Sequence, residues 1–314
     1  MMTENNISPI EEIIILGTGP AGLSAALYAA RADLNPLLLT GTEIGGQAAQ
    51  THRIENYPGF PDGVGGIELA ELFQKNAERF GARLEYDSAT GVDLSNRPFT
   101  IKTYSKEFLA KSLIITTGAS PNKLGVPGED AFRGKGVSYC GTCDGWFFKD
   151  KHVAVVGGGD SALEEGIFLT RYASKVSVIH RRDQLRAGVI LQNRAKANAK
   201  MEFIWNSVVE EIRGDSGVNE LLLINTVNGS AIQLPVDGIF IFIGHSPNTA
   251  IFEGQLDMDQ ARYIQVDERM NTSVHGVFAA GEVCDPYFRQ VVTSAGMGAA
   301  AAISATRLLE SESD

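Results

Sequence analysis

The sequence predicts an α/β protein with two Rossmann-like dinucleotide-binding domains, one inserted in the other. The first observation is a short apolar run starting at residue 13 that leads into a glycine-rich turn and then an alanine-rich helical stretch. The second observation is the return of the same order from residue 152 onward. A length of 314 residues also favours two domains, because it is long for a single hydrophobic core.

Composition and charge argue against several classes of function. The net charge of −11 disfavours a nucleic-acid partner. No apolar run approaches the length of a membrane span, and the polar start from Met1 to Glu12 lacks the features of a signal peptide. Three cysteines in so long a chain do not indicate a disulfide scaffold. We therefore expect a cytoplasmic protein with neither nucleic acid nor membrane among its partners.

The first glycine-rich turn matches a dinucleotide fingerprint in its required setting. The apolar run Ile13–Leu16 precedes the turn, and a helical stretch from Leu23 to Ala32 follows it. Glycines at these positions allow a tight turn and the close approach of a pyrophosphate to the helix N-terminus. The turn consists of Gly17, Thr18, Gly19, Pro20, Ala21 and Gly22.

The acidic residue that usually follows the second strand of such a fold is missing. The strand candidate Pro36–Leu39 is followed by Thr40 and Gly41 instead. We expect the loop beyond them to hold the adenosine ribose. That loop contains Glu43, Gly45, Gly46 and Gln47.

Further elements of the first domain follow. The segment 56–61, which begins with Asn56, is typical of an ordinary packed loop when taken alone. A buried strand from Leu113 ends at Gly118, and a stretch rich in proline and glycine then indicates a domain boundary near Lys123. An amphipathic helix is predicted over residues 67–80. Its predicted apolar face consists of Ile67, Ala70, Phe73, Ala77 and Phe80.

A second fingerprint follows the predicted strand His152–Val156. Gly157, Gly159, Asp160 and Ser161 belong to its turn, and a helix is predicted over Leu163–Ala173. The next predicted strand, Lys175–Ile179, ends where folds that bind NAD carry an acidic residue. Arginines at that place suit the 2′-phosphate of NADPH, although a basic surface cluster is the alternative. The residues concerned are His180, Arg181, Arg182 and Arg186.

Cys140 and Cys143 are separated by two residues, and Asp144 follows them directly. Such a pair is either a redox dithiol or half of a metal site, and a structural zinc site usually needs four ligands. The sequence offers no second pair, since Cys284 stands alone and the histidines are scattered. We therefore favour a redox dithiol, expect no metal, and regard Asp144 as an acid that can manage its protons.

The C-terminal region predicts a last strand that ends at Gly281 and Glu282. A helix from Val291 to Leu309 follows Arg289 and Gln290. The amides at the start of this helix and its dipole suit the edge of a flavin that carries negative charge when reduced.

Together these motifs resemble the low-molecular-weight, bacterial-type thioredoxin reductases over nearly the whole chain. The resemblance implies an FAD-binding domain made of residues 1–122 and 249–314 and an inserted NADPH-binding domain, residues 123–248, that carries the dithiol. It also implies a homodimer whose substrate is a thioredoxin-like protein. The stretches that carry the resemblance are 17–22, 45–47, 140–145, 157–162, 180–183, 244–248 and 278–283.

The resemblance further implies a role for each site residue. Electrons pass from NADPH through FAD to the Cys140–Cys143 disulfide, with Cys143 nearest the flavin, Cys140 attacking the partner disulfide and Asp144 acting as the acid. The residues expected at NADPH are Gly157, Gly159, Asp160, Ser161, His180, Arg181, Arg182 and Arg186. The residues expected at FAD are Gly17, Gly19, Pro20, Ala21, Gly22, Thr40, Gly41, Glu43, Gly45, Gly46, Gln47, Asn56, Gly118, Gly281, Glu282, Arg289, Gln290 and Val291.

The sequence departs from the family pattern at two positions. The family usually has alanine where Gly141 stands and aspartate where Glu282 stands. Cys284 is not a family requirement, and we interpret it as a small buried hydrophobe.

One dithiol cannot lie against a buried flavin and also meet an external protein. We therefore hypothesise that the inserted domain rotates about linkers near Pro121 and Pro247. Three other functions stay open at this point: a reductase that feeds a peroxidase, a ferredoxin-linked flavoenzyme of the same fold, and a non-catalytic FAD-binding regulator. The short segment before the first strand disfavours the first, the arginines disfavour the second, and the intact cysteine pair disfavours the third.

Overall fold

The computed structural model describes residues 9–41, 44–51 and 53–313. The chain divides into two compact units, one formed by Met1–Ser120 with Ser246–Asp314 and the other by Pro121–His245. The chain leaves the first unit once and returns to it once, so the second unit is an insertion. The two crossings fall in short strands that pair with each other.

The elements up to the first crossing are β1 (Ile10–Leu16), α1 (Pro20–Arg31), β2 (Leu37–Leu39), α2 (Gly46–Ala49), α3 (Gly66–Arg79), β3 (Arg83–Glu85), β4 (Ala89–Asp93), β5 (Phe99–Thr103), β6 (Glu107–Ile115) and β7 (Ala119–Pro121). The elements from there to the second crossing are β8 (Val137–Ser138), α4 (Gly141–Asp144), a 3-10 turn (Gly145–Phe148), β9 (His152–Val156), α5 (Asp160–Leu169), β10 (Lys175–Ile179), α6 (Val189–Ala197), β11 (Met201–Ile204), β12 (Ser207–Gly214), β13 (Val218–Asn225), β14 (Ala231–Pro235), β15 (Gly238–Ile241) and β16 (His245–Pro247). The remaining elements are a 3-10 turn (Ala250–Phe252), β17 (Val277–Ala279) and α7 (Val291–Ser313).

The main sheet of the first unit has the order β3-β2-β1-β6-β5-β4, and β17 also pairs with β6. Strands β3, β2, β1, β6 and β17 run parallel to one another. Ile13, Ile14 and Ile15 are fully buried in β1, which confirms the predicted buried strand. Because parallel strands end at the same edge, the turns that follow β1, β2, β6 and β17 lie together there.

Helices α1 and α7 of the first unit pack against each other through small residues. A Cβ atom on Gly298 would lie 2.0 Å from the backbone oxygen of Ala21, so glycine is required at this approach. Ala26 and Ala301 are fully buried in the same core. This contact holds the C-terminal helix over the first glycine-rich turn.

The predicted apolar face of the helix over residues 67–80 is partly wrong. Ile67 is 65% exposed and Phe80 is 38% exposed, whereas Leu69 is buried. The buried stripe is rotated by about one residue because α3 packs its Leu69 side against α2 and the loop beyond it. Phe80 instead lies under the guanidinium groups of Arg31 and Arg79.

The second unit contains a parallel sheet with the order β11-β10-β9-β15-β8 and a separate antiparallel sheet with the order β12-β13-β14. Strand β11 belongs to the parallel sheet, where it pairs with β10. Fully buried Val153, Val155, Val176 and Val178 form the centre of the parallel sheet.

The contact between α1 and α7 can be tested with two glycines of the same helix. Gly298→Ala should destabilise the protein by about 1–3 kcal/mol, because the added methyl meets backbone that cannot yield easily. Gly296→Ala is the matched control, since no atom lies within 4 Å of its Cβ position, and it should stabilise the helix by about 0.5–1 kcal/mol. Thermal unfolding followed by circular dichroism measures both, and equal melting temperatures would contradict the packing argument.

Candidate active site and cofactor-binding edges

Cys140 and Cys143 form a disulfide in the second unit, with their Cα atoms 5.3 Å apart. Cys140 immediately precedes the single turn of α4, and Cys143 lies within it. The Sγ atom of Cys140 is 3.4 Å from the hydroxyl of Thr142. Both cysteines are partly exposed, so an external group can approach this loop.

Ser138 forms hydrogen bonds within the disulfide loop and was not among the residues predicted from the sequence. Its hydroxyl accepts the backbone N–H of Cys140 at 3.1 Å and lies 2.6 Å from Oδ2 of Asp144, to which it donates. Ser138 is only 5% exposed, so this bridge is shielded from water. The available signal was a serine in the last position of an apolar strand, two residues before the first cysteine.

Asp144 is a half-buried carboxyl group. Burial raises the pKa of Asp144, and the hydrogen bond from Ser138 opposes that rise by favouring the charged form. A carboxyl group with a raised pKa retains a proton closer to neutral pH. The position beside the disulfide therefore suits an acid that exchanges a proton with a sulfur atom.

The glycine-rich turn after β1 is open where a diphosphate would approach. A Cβ atom on Gly22 would lie 1.9 Å from the backbone oxygen of Gly17, and the Gly17 backbone has φ +107°. On the outer side of Gly19, by contrast, no atom lies within 4 Å of its Cβ position. Helix α1 starts at Pro20 with no side-chain cap and no acidic residue in its first turn. These features fit an anionic cofactor at the start of α1.

The loop after β2 lies against the same turn. The hydroxyl of Thr18 donates to the backbone oxygen of Thr40 at 3.0 Å, and the N–H of Gly45 donates to Thr18 at 3.1 Å. A Cβ atom on Gly46 would lie 3.2 Å from Cα of Gly19. Gly41, with φ +72°, continues the edge, and Gln47 is exposed on α2. Glu43, the predicted ribose ligand, falls outside the described residues.

The ends of β6 and β17 complete this edge of the first unit. Gly118 and Gly281 adopt left-handed backbone angles, φ +69° and φ +78°. The Cβ position of Gly281 is 2.9 Å from Cβ of Ala21, which places the end of β17 beside the first turn. The amide of Asn56 donates to Gln290 at 3.1 Å, so the predicted loop residue Asn56 does reach the start of α7 at Val291.

A buried aspartate shapes the loop that leads into α7. The carboxylate of Asp285, 5% exposed, accepts the backbone N–H groups of Tyr287, Phe288 and Arg289 at 2.9, 3.0 and 3.3 Å. These bonds fix a turn in which Arg289 has φ +51°. Asp285 was not among the site residues predicted from the sequence.

Glu282 is a second carboxyl group at this edge. Burial raises the pKa of Glu282 to about 7, with Asp285 adding to the rise and Arg289 opposing it. Cys284 is half-buried against the core and donates to the backbone oxygen of Gly281 at 3.3 Å. Burial, with a smaller contribution from Asp285, raises the pKa of Cys284 to about 12, which agrees with the interpretation of an unreactive packing residue.

The second unit repeats the arrangement at the ends of β9 and β10. A Cβ atom on Gly157 would lie 2.5 Å from the backbone oxygen of Phe242, and one on Gly158 would lie 2.4 Å from the ring of His180. The N–H of Arg186 donates to the backbone oxygen of Gly158 at 2.7 Å. The guanidinium of Arg186 therefore stands beside the turn, 3.8 Å from the Cβ position of Gly159.

The other predicted residues of this turn divide into exposed and structural ones. Arg181 and Arg182 are exposed at the end of β10, and Ser161 is exposed in the first turn of α5. The carboxylate of Asp160 accepts the N–H of Gly188 at 2.8 Å, which fastens the start of α6 to the start of α5. Burial, together with the nearby arginines, lowers the pKa of His180, so this imidazole is neutral at neutral pH.

The part of the chain that the structure describes contains neither a candidate metal site nor a candidate membrane span. Within residues 9–41, 44–51 and 53–313, no three His, Cys, Asp or Glu side chains are grouped so as to hold a metal ion. None of the helices in that part of the chain combines the length and the apolar character needed to cross a bilayer.

Comparison with known proteins places this geometry in a family. The model of the pyridine nucleotide-disulphide oxidoreductase family matches residues 11–298. A thioredoxin reductase from Streptomyces coelicolor is 48% identical over 311 residues, which cover 98% of this chain and 97% of the relative. The chain belongs to the thioredoxin reductase family. A thioredoxin reductase from Chlamydia trachomatis is 47% identical over 307 residues, which cover 95% of this chain and 98% of the relative.

The fold agrees with solved thioredoxin reductases. The crystal structure from Streptococcus pyogenes superposes with a TM-score of 0.92 at 43% identity, and the match covers 96% of this chain and 99% of that one. The chain is thus an NADPH-dependent flavoprotein disulfide oxidoreductase, with FAD and NADPH as its cofactors. The family membership inferred from the motifs is confirmed, and the reading as a non-catalytic regulator is excluded.

The bridge from Ser138 to Asp144 generates a prediction about pH. Ser138→Ala removes a donor that favours the charged carboxylate, so the pKa of Asp144 should rise further. If Asp144 supplies a proton, the activity lost on its deprotonation should persist to correspondingly higher pH. The measurement is the pH dependence of oxidation of the reduced protein by a small aromatic disulfide. Ser138→Thr retains the hydroxyl and is the control; an unmoved alkaline limb in Ser138→Ala would contradict the role of the bridge.

Proposed function

We propose that this chain is a thioredoxin reductase in the strict sense, passing electrons from NADPH through FAD and the Cys140–Cys143 pair to the disulfide of a thioredoxin-like protein. The observation that carries the proposal is the partly exposed Cys140–Cys143 disulfide with the half-buried acid Asp144 held beside it. The relatives named thioredoxin reductase match over nearly their full length and support the same substrate class.

The first unit corresponds to the proposed FAD domain, which the sequence predicts over residues 1–122 and 249–314. Its glycine turn fits the diphosphate, because the start of α1 carries no competing side-chain cap or acid. The loop 40–47 would hold the adenosine, and Gly118, Gly281, Glu282, Gln290 and Val291 would line the flavin and ribityl part. Glu282 with its raised pKa can donate a hydrogen bond to a ribityl hydroxyl as well as accept one.

The second unit corresponds to the proposed NADPH domain, which the sequence predicts over residues 123–248. The diphosphate would lie at the turn Gly157–Gly159, where the Gly158 carbonyl is already occupied by the N–H groups of Arg186 and Ala187. Arg181 and Arg182 are exposed at the strand end and offer forked donors to a 2′-phosphate. Neutral His180 would support this loop by packing under Gly158 rather than by adding charge.

The chemistry at the sulfur pair follows from thiol–disulfide exchange. When bound, FAD would supply the electron pair taken from NADPH, and the Cys140–Cys143 disulfide would need that pair and two protons to become two thiols. Cys140 then attacks one sulfur of the partner disulfide as a thiolate, and Cys143 attacks the resulting mixed disulfide, which releases the reduced partner. Asp144 would hold or deliver the proton that each departing thiolate needs.

Three further elements of the proposal rest on the family resemblance and on composition. The second unit would rotate about the segments 120–121 and 245–246, where the chain crosses between units. Unchanged turnover in a protein whose two units are covalently cross-linked would contradict this rotation.

A homodimer is proposed as the working form, and a single-chain mass in sedimentation velocity would contradict it. A cytoplasmic location is proposed because three cysteines with one C-x-x-C pair suit a reducing compartment.

Substitution of the cysteines tests the proposed function. Cys140→Ser and Cys143→Ser should each reduce NADPH-dependent reduction of thioredoxin by at least about a thousandfold, because either change removes the exchangeable disulfide. Cys284→Ala is the matched control and should retain the activity of the unaltered protein. Retention of thioredoxin reduction by either Ser variant would contradict the proposed route.

The arginines at the end of β10 test the choice of nucleotide. Arg181→Ala with Arg182→Ala should raise the KM for NADPH by about 10–100-fold, because two forked contacts with the 2′-phosphate are lost. The KM for NADH should change little. Arg194→Ala, an exposed arginine on α6, controls for the loss of charge. An equal loss for both nucleotides would show that these residues do not recognise the phosphate.

A further inference from the structure

Glu165 on α5 lies against the loop that carries the sulfur pair. A Cβ atom on Gly141 would be 2.3 Å from Oε2 of Glu165 and 3.5 Å from its Cβ atom. The Oε2 atom is shielded from solvent. Gly141, which follows Cys140 and lies two residues before Cys143, is therefore in direct contact with a carboxyl oxygen of Glu165.

Gly141 is what admits this carboxylate. It lies in α4, and its backbone is not among the left-handed glycines, so an alanine could adopt the same conformation. The constraint is one of space, because the methyl group of an alanine would occupy the position of the Glu165 oxygen. The thioredoxin reductases that this sequence resembles usually have alanine here, so the space that the Glu165 oxygen occupies depends on this departure at Gly141.

We propose that Glu165 sets the acidity of the reduced Cys140–Cys143 pair. In its ionised form this carboxyl group disfavours a neighbouring thiolate, and the effect is strengthened because Oε2 is shielded from water. Glu165 contacts the loop and not the sulfur atoms, so it acts on the thiols through its field and through the position of the loop. This role rests on the proposed function only in taking Cys140 and Cys143 as the redox pair.

Glu165 is a charged side chain of α5 that contacts this loop at Gly141, and the Lys149 ammonium lies over the ring of Trp146 on the far side of the sulfur pair along the chain. The atoms from this side nearest the Cβ position of Gly145 belong to Phe168, Leu169 and Tyr172, none of which is charged at neutral pH. On the strand side, the hydroxyl of Tyr139 is bonded to Glu129 at 2.7 Å, with Arg133 over its ring. Asp144 is the carboxyl group that the loop itself supplies.

The proposal is tested on the thiols directly, in holoprotein reduced with dithiothreitol and then freed of it. The rate of alkylation of Cys140 and Cys143 by iodoacetamide is followed against pH by mass spectrometry. Glu165→Gln should lower the pKa of the faster-reacting thiol by about one unit. Below that pKa, alkylation should be about threefold faster, because the gain in thiolate outweighs the lower nucleophilicity of each thiolate.

Two companion variants make the result specific. Glu164→Gln removes the same charge from the exposed neighbour on α5 and should leave the profile unchanged. Gly141→Ala displaces the Glu165 carboxylate and should shift the profile in the same direction as Glu165→Gln, and the two changes combined should add nothing further. Should Gly141→Ala fail to fold, the comparison between Glu165→Gln and Glu164→Gln still decides.

An alkylation profile of Glu165→Gln that matches either the unaltered protein or Glu164→Gln would overturn the proposal. The assay contains neither NADPH nor thioredoxin, so its outcome does not depend on turnover. If the proposed function were wrong, NADPH-dependent reduction of thioredoxin would be absent. The difference between the alkylation profiles of Glu165→Gln and Glu164→Gln would not be affected by that result.

Discussion

Each unit contains a place where two backbone segments approach too closely for a Cβ atom, and the rest of the structure depends on this constraint. In the first unit a Cβ atom on Gly22 would lie 1.9 Å from the oxygen of Gly17, and in the second a Cβ atom on Gly157 would lie 2.5 Å from the oxygen of Phe242. These approaches hold strand, turn and helix together and leave the first N–H groups of α1 and α5 directed outward. The same chain can therefore offer two nucleotide edges, one for each cofactor of its family.

The parts of the fold that were predictable from sequence are those set by local pattern. Strand Lys175–Ile179 was predicted with the bounds that the structure has, because a short run of apolar and β-branched residues marks it. Helix α6 was missed, since Val189 and Ile190 at its start are exposed and the helix lacks an apolar stripe. The buried side of α3 was misplaced because periodicity gives the width of a stripe but not the neighbours that cover it.

The residues of the candidate site also fall into two groups, those predictable from local sequence pattern and those that only the folded structure brings together. Glycine turns and the C-x-x-C pair were predictable, since spacing alone distinguishes them. Ser138, Asp285 and Glu165 were not, because their importance arises from contacts made by folding: a bridge to Asp144, a turn that leads into α7, and a carboxylate packed on Gly141. The sequence did mark Gly141 as a departure from the family, but the contact that an added Cβ atom would make with Glu165 on α5 is visible only in the structure.

The central claim is that electrons from NADPH reach the Cys140–Cys143 disulfide inside this chain. Its most direct measurement is an anaerobic titration of the FAD-loaded protein with NADPH in the absence of thioredoxin, followed by denaturation, alkylation and peptide mass spectrometry. The account predicts that Cys140 and Cys143 change from a disulfide to two alkylated thiols as NADPH is consumed, while Cys284 is alkylated equally before and after. Bleaching of the flavin with the Cys140–Cys143 disulfide left intact would contradict it.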